Sequence, residues 1–248
     1  MALNDLLSSP TKDKPMIVTI VGEAGLGKTT LASTFPNPIF LRTEDGTMSL
    51  DGRDDVALLP VASTVSECFR YIEMLGTEEH DFKTLVIDSI TQLNTLIEKE
   101  ILESDPKAKS LNSALGGYGA AYSAVSEVHR KFREWCGMLS NDKKMNIVFI
   151  AHTDTEMIDQ PDSDSYSRYT IRMHKKSVSH YSDNVDVIAY LKLKTFTTGA
   201  TDKKKAISDG TRIITAYPIA NHISKNRLGI DSDIVVKNGE NPFLQYLK

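Results

Sequence analysis

The chain has 248 residues, of which 40% are hydrophobic and 25% are charged, and its formal net charge is −4. This length fits one large α/β domain better than two small ones, and the apolar content is enough to form a core. The negative net charge excludes a protein that binds nucleic acid over its whole surface, so any such contact needs a local basic patch.

No cross-linking or targeting pattern stands out. The two cysteines, Cys68 and Cys136, lack a CxxC spacing, so a disulfide framework is not expected and a reducing cytosol is the expected compartment. The histidines show no metal-ligand spacing. Neither a signal peptide nor a membrane span of about 20 apolar residues is expected. The sequence therefore predicts a cytoplasmic protein without membrane contact.

The polar residues 1–15 predict an N-terminal arm, and residues 16–248 predict a single domain that no Pro/Gly/Ser-rich linker divides. Short apolar runs rich in β-branched residues predict buried strands, and apolar residues at helical spacing predict helices. The predicted strands cover residues 16–21, 39–41, 56–60, 84–88 and 146–152. The predicted helices cover residues 29–34, 64–75, 91–102 and 118–139, and the predicted loops cover residues 103–117 and 153–180.

The last third of the chain has a different pattern. Residues 185–193, 211–217 and 234–236 have strand patterns with no long helix between them. Alternating strands and helices followed by strands alone predict a mostly parallel, doubly wound α/β sheet. Helices are expected on both of its faces, with an antiparallel, β-rich extension at the C-terminal side.

A glycine-rich motif directly follows the first predicted strand. Its pattern is Gly-x4-Gly-Lys-Thr between a strand and a helix, the context that a phosphate-binding loop requires. Glycines let successive N–H groups curl around phosphate oxygens, and the following helix points its positive end at them. The candidate nucleotide-binding residues are Gly22, Glu23, Ala24, Gly25, Leu26, Gly27, Lys28, Thr29 and Thr30.

Two oxygen-bearing side chains are candidate ligands of Mg²⁺. Lys28 would reach the β- and γ-phosphates of ATP, and the Thr29 hydroxyl would bind the metal. Asp88 ends the predicted strand 84–88, where a carboxylate beside a phosphate loop can hold the water shell of Mg²⁺. A strand-end aspartate that only caps the next helix is the alternative. ATP and Mg²⁺ are therefore the expected cofactors.

The order of these motifs resembles the RecA/RadA class of P-loop ATPases. The phosphate loop is followed by Thr43-Glu44 after the second strand, and then by the strand that ends at Asp88-Ser89. In that class the acidic residue after the second strand orients the attacking water. The resemblance therefore assigns this role to Glu44. The alternatives are that Asp45 has this role or that Glu44 is only a solvated turn residue. In AAA+ proteins the glutamate instead follows the Mg²⁺ aspartate directly, and Ser89 in that place argues against them.

The resemblance also assigns residues to the terminal phosphate. In RecA-like proteins a polar residue at the end of the fourth strand senses the γ-phosphate; RecA has a glutamine there, and this chain has His152. Lys225-Asn226-Arg227-Leu228-Gly229 is similar to the Lys-Asn-Arg-Phe-Gly stretch of RadA/Sms proteins. There the basic side chains cross a subunit interface to the neighbour's γ-phosphate. This assigns Lys225 and Arg227 to catalysis and implies a homo-oligomer, a ring or a filament, with shared ATP sites. A solvated basic turn is the alternative.

Two polar segments occupy the places of the DNA-binding loops of RecA-like proteins. Basic side chains that neutralise phosphates and rings that stack on bases are what single-stranded DNA binding needs. The segment 153–180 combines basic residues with Tyr166 and Tyr169, and the segment 107–117 combines two lysines with a glycine pair. An ordinary solvated loop is the alternative for both, and Lys203-Lys204-Lys205 predicts an exposed hairpin tip. The candidate DNA-binding residues are Lys107, Lys109, Arg168, Arg172, Lys175 and Lys176.

The chain holds little beyond this core, which resembles the small phage-encoded RecA-like nucleotide-binding and single-strand annealing proteins over about residues 15–230. The resemblance implies an ATPase of the host cytoplasm that binds single-stranded DNA and promotes annealing or strand exchange in recombination. It also implies an interaction with a single-strand-binding protein. A hexameric DNA translocase or helicase and an ATP-switched regulatory protein without DNA binding are the alternatives. The absence of an Asn-Lys-x-Asp motif disfavours a GTPase.

Overall fold

The computed structural model describes residues 14–198 and 205–246. The strands are β1 (Ile17–Gly22), β2 (Pro38–Arg42), β3 (Ala57–Leu58), β4 (Thr84–Asp88), β5 (Asn146–Ile158), β6 (Tyr166–Ile171), β7 (Val187–Thr198), β8 (Lys205–Thr215), β9 (Lys225–Asn226) and β10 (Ile234–Val235). The α-helices are α1 (Lys28–Ala32), α2 (Val65–Thr77), α3 (Ile90–Glu103), α4 (Ala120–Lys143) and α5 (Lys175–Ser182).

Strand β1 lies at the centre of the sheet, between β5 and β7, and both neighbours run parallel to it. The described strands follow the order β10-β8-β7-β1-β5-β4-β2-β3, with β6 paired to β5 and β9 paired to β7. The pairs β5–β4, β4–β2 and β2–β3 are parallel, whereas β8 and β10 continue the sheet beyond β7 in antiparallel fashion. The predicted mostly parallel α/β sheet with an antiparallel C-terminal extension is confirmed.

The central strands bury apolar side chains on both faces, as strands covered by helices on two sides must. On one face, Val18 and Ile20 of β1 pack in one cluster with Leu31 of α1 and with Phe243. On the other face, Val21 belongs to a second cluster with apolar side chains of α2, α3, α4 and α5. Helices therefore cover both faces, as the sequence predicts, and α1 is fixed beside the end of β1.

The segment 153–180 is not a loop, which corrects the sequence prediction. Strand β5 continues past His152 to Ile158 and forms an antiparallel hairpin with β6, and α5 follows. The register of this hairpin pairs Glu156 with Arg168. Its strands carry polar side chains on both faces, so no alternation of apolar and polar residues marks them in the sequence.

Other predicted elements differ in length. The strand predicted at residues 56–60 is limited to Ala57–Leu58, whereas β7 and β8 extend into a longer antiparallel ladder than the sequence indicates. Lys203-Lys204 of the predicted hairpin tip and residues 1–13 of the predicted arm lie outside the described residues. The longest described helix is α4, and neither it nor any other helix in the described ranges is long and apolar enough to cross a membrane.

Candidate active site

The C-terminal ends of four neighbouring parallel strands bring the predicted nucleotide-binding residues together. Gly22 at the end of β1 lies in register with His152 of β5, and Asp88 at the end of β4 lies in register with Arg42 of β2. Strand β5 lies between β1 and β4. Ligands of open α/β sheets bind at this edge, so side chains from separate segments of the chain meet where a nucleotide is expected.

The phosphate loop joins β1 to α1 and has glycines where a side chain would not fit. A Cβ atom at Gly22 would lie 2.6 Å from the carbonyl oxygen of Leu191 on β7. Gly25 and Gly27 have φ angles of 78° and 87°, in the left-handed region that glycine adopts without strain. Gly27 caps α1 without a side-chain hydrogen bond, which leaves the first N–H groups of the helix open to an anion.

Lys28 folds back over the phosphate loop. Its Nζ donates to the carbonyl oxygens of Gly22 and Glu23 at 2.8 and 2.7 Å, and it lies 3.5 Å from Nδ1 of His152. Burial lowers the pKa of Lys28 to about 8, an effect that the charges of Asp88 and Glu44 oppose. A bound phosphate would offer this ammonium a full negative charge in place of two carbonyl dipoles.

Thr29 and Asp88 form the candidate metal centre. The Thr29 hydroxyl donates to Oδ2 of Asp88 at 2.8 Å. Adjacent ligands of an octahedral Mg²⁺ with bonds of about 2.1 Å are about 3.0 Å apart, so these two oxygens fit one Mg²⁺. Burial raises the pKa of Asp88, and a bound Mg²⁺ would favour the ionised carboxylate while it neutralises charge on the phosphates.

Glu44 lies next to this centre, just after β2. Its Oε1 accepts a hydrogen bond from the Ser89 hydroxyl at 3.0 Å and lies 3.6 Å from Nε2 of His152. The contacts with the His152 imidazole and with the Ser89 hydroxyl hold the pKa of Glu44 below its ordinary value. The Glu44 side chain is 39% exposed. It is therefore an ionised carboxylate within reach of water, which is what a general base requires.

Hydroxyl side chains to which the sequence interpretation gave no role position these groups. The Thr43 hydroxyl donates to the carbonyl oxygen of Ser89 at 2.9 Å and accepts from the Ser89 N–H at 3.0 Å. The Thr91 hydroxyl accepts from the N–H of His152 at 2.9 Å. These bonds tie the end of β2 and the middle of β5, at His152, to the start of α3. The sequence offers no motif for them, because a threonine at a strand end is common.

Arg212 of β8 also contacts the phosphate loop, and the sequence interpretation missed it. Its Nη1 donates to the carbonyl oxygen of Leu26 at 3.3 Å, and its guanidinium also bonds to Asn238. It lies against Gly27, where a Cβ atom would collide with it. Arg212 therefore connects the phosphate loop to the C-terminal segment of the chain.

Arg172, predicted to bind DNA, is an exposed residue whose backbone lies beside His152. Its N–H donates to the carbonyl oxygen of His152 at 2.9 Å, and its Nε donates to the carbonyl oxygen of Thr153 at 3.2 Å. Its charge contributes to the low pKa of Lys28, after the larger effect of burial. These bonds fix Arg172 beside His152, and its contact with DNA stays a prediction.

Lys225 and Arg227 lie near the opposite end of β1 from the phosphate loop of their own chain. The N–H of Arg227 donates to the carbonyl oxygen of Asp186, whose Oδ2 accepts from the N–H of Ile17, each at 2.9 Å. The Nζ of Lys225 donates to the carbonyl oxygen of Ser182 at the C-terminal end of α5 at 3.1 Å. Within one chain neither side chain reaches the phosphates, so the predicted role requires the ATP site of a second subunit.

The predicted DNA-binding side chains do not form one continuous patch. Arg168 pairs with Glu156 at 2.7 Å on the β5–β6 hairpin, which neutralises its charge locally. The four predicted lysines are exposed, in two groups at the start of α5 and in the turns after α3: Lys175, Lys176, Lys107 and Lys109. The contact of these residues with DNA stays a prediction.

Comparison with protein families finds a family model that matches most of the chain. The family model described as AAA domain, AAA_24, matches residues 14–228, a range that contains the phosphate loop, Glu44, Asp88 and His152. A comparison with curated proteins found no match. The glutamate that AAA+ proteins have directly after the metal aspartate is replaced here by Ser89, and the carboxylate beside the metal centre comes from Glu44. With most of its length covered by the match, the chain belongs to the AAA domain family of P-loop ATPases.

Proposed function

We propose that this protein is a RecA-like, Mg²⁺-dependent ATPase that binds single-stranded DNA and promotes annealing or strand exchange in phage DNA recombination. Family membership supports nucleotide binding and ATPase activity. The DNA-dependent part is supported by one observation. The β5–β6 hairpin leaves the active site at His152 and returns to it, where the Arg172 N–H bonds to the His152 carbonyl at 2.9 Å. A ligand bound to this hairpin would contact a segment of which both ends lie at His152, the residue expected to sense the terminal phosphate.

The reaction that the site geometry supports is attack of water on the γ-phosphorus. The water oxygen forms a bond to the γ-phosphorus, the bond from that phosphorus to the β–γ bridging oxygen breaks, and its electron pair stays on ADP. A water proton passes to Glu44 and then to solvent, so the products are ADP, phosphate and one proton. The Nζ of Lys28 and Nδ1 of His152 lie 3.5 Å apart. Both side chains would stabilise the negative charge on the oxygens of the transferred phosphoryl group.

The source of the general base supports a RecA-like arrangement. Glu44 belongs to the segment after β2, and its Oε1 is held by a hydrogen bond of 3.0 Å from the Ser89 hydroxyl. Thr43 beside it is bonded in both directions to the backbone of Ser89. The position after Asp88 thus holds the carboxylate in place instead of supplying it.

The surface that we assign to single-stranded DNA joins the two predicted DNA-binding segments. The Nζ of Lys176, at the start of α5, donates to the Ser123 hydroxyl of α4 at 2.8 Å. In the glycine-rich turn before α4, Tyr118 is fully exposed, and its φ of 50° is unusual for a residue other than glycine. Tyr122 stacks on His174 with ring centroids 4.2 Å apart. An exposed ring beside ammonium groups supports stacking on bases with neutralisation of the DNA backbone.

We assign Lys225 and Arg227 to the ATP site of a neighbouring subunit, in a ring or a filament. Arg227 lies at the molecular surface with a side chain that is 57% exposed, and it forms an ion pair at 3.2 Å with Asp186, whose side chain is 29% exposed. An exposed ion pair contributes about 0–1 kcal/mol, so Arg227 can leave it for a phosphate at small cost.

The test is the ATPase rate measured as a function of protein concentration, with and without single-stranded DNA. We expect the rate per subunit to rise with protein concentration, because sites are shared, and to rise again when DNA is added. Annealing of two complementary fluorescent strands should require the same protein concentrations. An ATPase rate that DNA leaves unchanged, together with no annealing, would exclude the DNA-dependent function.

Two other functions remain as outcomes of the same assays. A hexameric translocase or helicase would unwind a tailed duplex while it hydrolyses ATP, whereas we expect annealing without unwinding. An ATP-switched regulatory protein would hydrolyse ATP at a rate that is indifferent to DNA and would show no DNA binding by fluorescence anisotropy.

A further inference from the structure

We propose that Arg172 supplies a positive charge to the terminal phosphate of ATP from within its own chain. The inference rests on the ATPase part of the proposed function and gives Arg172 a role in nucleotide binding. It adds a residue from the end of β6 to the phosphate loop, the metal centre and Glu44.

Two hydrogen bonds fix the position of Arg172. Its N–H donates to the carbonyl oxygen of His152 at 2.9 Å and its Nε to that of Thr153 at 3.2 Å. His152 lies in register with Gly22, the first residue of the phosphate loop, on the adjacent parallel strand. Arg172 is therefore fixed beside His152, whose Nδ1 lies 3.5 Å from Nζ of Lys28 in the phosphate loop. The Nε2 of the same imidazole lies 3.6 Å from Oε1 of Glu44.

The charge of Arg172 has no anionic partner among the described residues. No ion pair forms between its guanidinium and any carboxylate in residues 14–198 and 205–246. Arg168, which lies four residues earlier on the same hairpin, is paired with Glu156 at 2.7 Å. Arg172 has one bond to a carbonyl through Nε and two Nη groups with no hydrogen-bond partner in these ranges, so most of its five donors are available to an anion.

Electrostatics at the site favour an anion between Arg172 and Lys28. The Nζ of Lys28 lies 3.5 Å from Nδ1 of His152, and the backbone of Arg172 is bonded to the carbonyl oxygen of the same residue, so an anion at His152 would have both cations near it. The repulsion between two such cations is relieved when an anion binds between them. Arg212 is a different case, because its guanidinium is already held by the carbonyl oxygen of Leu26 and by Asn238. Arg172 is thus the arginine that is positioned to bind the end of the triphosphate.

The first test compares Arg172→Ala with Arg70→Ala. In Arg172→Ala we expect kcat to fall at least about thirtyfold, since a cation at the transferring phosphate is worth about 10³ or more in rate when optimally placed. The dissociation constant for the slowly hydrolysed analogue ATPγS should rise about tenfold, whereas that for ADP should change less than about twofold. Arg70→Ala, at an exposed position of α2, should leave all three quantities near those of the unchanged protein, and Arg172→Lys should lie between.

The second test asks whether Arg172 acts within its own chain. An equimolar mixture of Arg172→Ala and Lys28→Ala protein should hydrolyse ATP no faster than the sum of the two separate proteins, because no site in the mixture has both residues. Activity well above that sum would show that Arg172 acts across an interface and would overturn the proposal.

The outcomes separate this inference from the proposed function. ATPγS and ADP affinities that change equally in Arg172→Ala, or a normal kcat, would contradict the inference while the ATPase function stands. A loss of DNA affinity in Arg172→Ala with unchanged discrimination between ATPγS and ADP would return the residue to the DNA surface. If the unchanged protein hydrolyses no ATP with or without DNA, the proposed function itself fails.

Discussion

The Thr29 hydroxyl and the Asp88 carboxylate, 59 positions apart in the chain, are joined by a hydrogen bond of 2.8 Å. Two hard oxygen ligands at this separation suit Mg²⁺, which completes its six ligands with water and phosphate oxygens. The phosphate loop and β4 thus form a metal centre from two distant segments of the sequence.

Thr29→Val should weaken the dependence on Mg²⁺. The substitution keeps the shape of the side chain and removes its oxygen ligand, so we expect the Mg²⁺ concentration for half-maximal ATPase rate to rise at least about tenfold and kcat to fall. A Mg²⁺ titration of the ATPase rate measures both. Thr34→Val removes a hydroxyl that only bonds to the Leu31 carbonyl and is the control. Equal effects of the two substitutions would contradict a metal role for Thr29.

Glu44→Gln should abolish hydrolysis and retain nucleotide binding. The amide keeps the hydrogen bond from Ser89 but cannot accept a proton, so kcat should fall by about 10² or more while the dissociation constant for ATP changes little. Asp45→Asn is the matched control, because Asp45 has an 82% exposed side chain and, among the described residues, its carboxylate pairs with Arg42 alone. If Asp45→Asn loses activity and Glu44→Gln does not, the base is Asp45.

ATP affinity should fall as the pH rises above about 8. Burial lowers the pKa of Lys28 to about 8 in the chain without nucleotide, and a bound triphosphate restores its charge, so binding takes up a proton above that pH. If the bound lysine stays charged, the dissociation constant should increase about thirtyfold between pH 7 and pH 9.5. Isothermal titration calorimetry in buffers of different ionisation enthalpy measures both affinity and proton uptake.

Lys28→Arg is the control for this pH dependence, since a guanidinium stays charged throughout the range and should give a flat profile. Folding stability has the opposite trend. Because the pKa of Lys28 is lowered in the folded state, the free energy of unfolding of the chain without nucleotide should gain from this group as the pH rises from about 8 to 10.5. A steep pH profile in Lys28→Arg would assign the titration to another group.

Arg227→Ala should lower the ATPase rate at least about tenfold without weakening ATP binding, since its cation is expected at a neighbour's transferring phosphate. Mixing Arg227→Ala with Lys28→Ala should restore activity, because the Lys28→Ala subunit brings an intact Arg227 to the intact phosphate loop of its neighbour. The measurement is the rate of the mixture against the sum of its parts. A mixture that stays inactive, or an Arg227→Ala protein with full activity, speaks against shared sites.

Thr43→Val should reduce both stability and turnover. It removes two hydrogen bonds to the buried backbone of Ser89, at 2.9 and 3.0 Å, and a buried unsatisfied group costs about 1–3 kcal/mol. We expect a lower melting temperature and a lower kcat at unchanged ATP affinity, because Glu44 is then less well positioned. Thr95→Ala, on the exposed face of α3, should change neither quantity. An unchanged kcat in Thr43→Val would mean that Glu44 is positioned without it.

The sequence predicts the phosphate loop and Asp88 well because their chemistry is local. A strand, a glycine-rich turn and a helix follow each other within 16 residues, Ile17–Ala32, and the strand that ends at Asp88 is a continuous apolar run. The hairpin of β5 and β6 is not visible in the same way. Its side chains are polar on both faces, so only pairing between the two strands, which periodicity does not report, defines it.

The position of Arg172 and the bonds of Thr43 escaped the sequence for a different reason. Arg172 lies among basic residues that suggest a nucleic-acid patch, yet the pairing of β6 with β5 brings it back to His152. The bonds of Thr43 cross to a residue 46 positions away. Such contacts depend on which strands are neighbours, and that order is a property of the whole sheet.

Strand β5 has a further consequence. It runs without interruption from Asn146 through His152 to Ile158, so the six residues beyond His152 carry the backbone about 20 Å outward from the active site. A nucleotide held at one end and a ligand held at the other would both bend or straighten the same length of backbone. Whatever free energy that distortion costs is common to the two binding events, and each ligand must then alter the affinity of the other by the same factor.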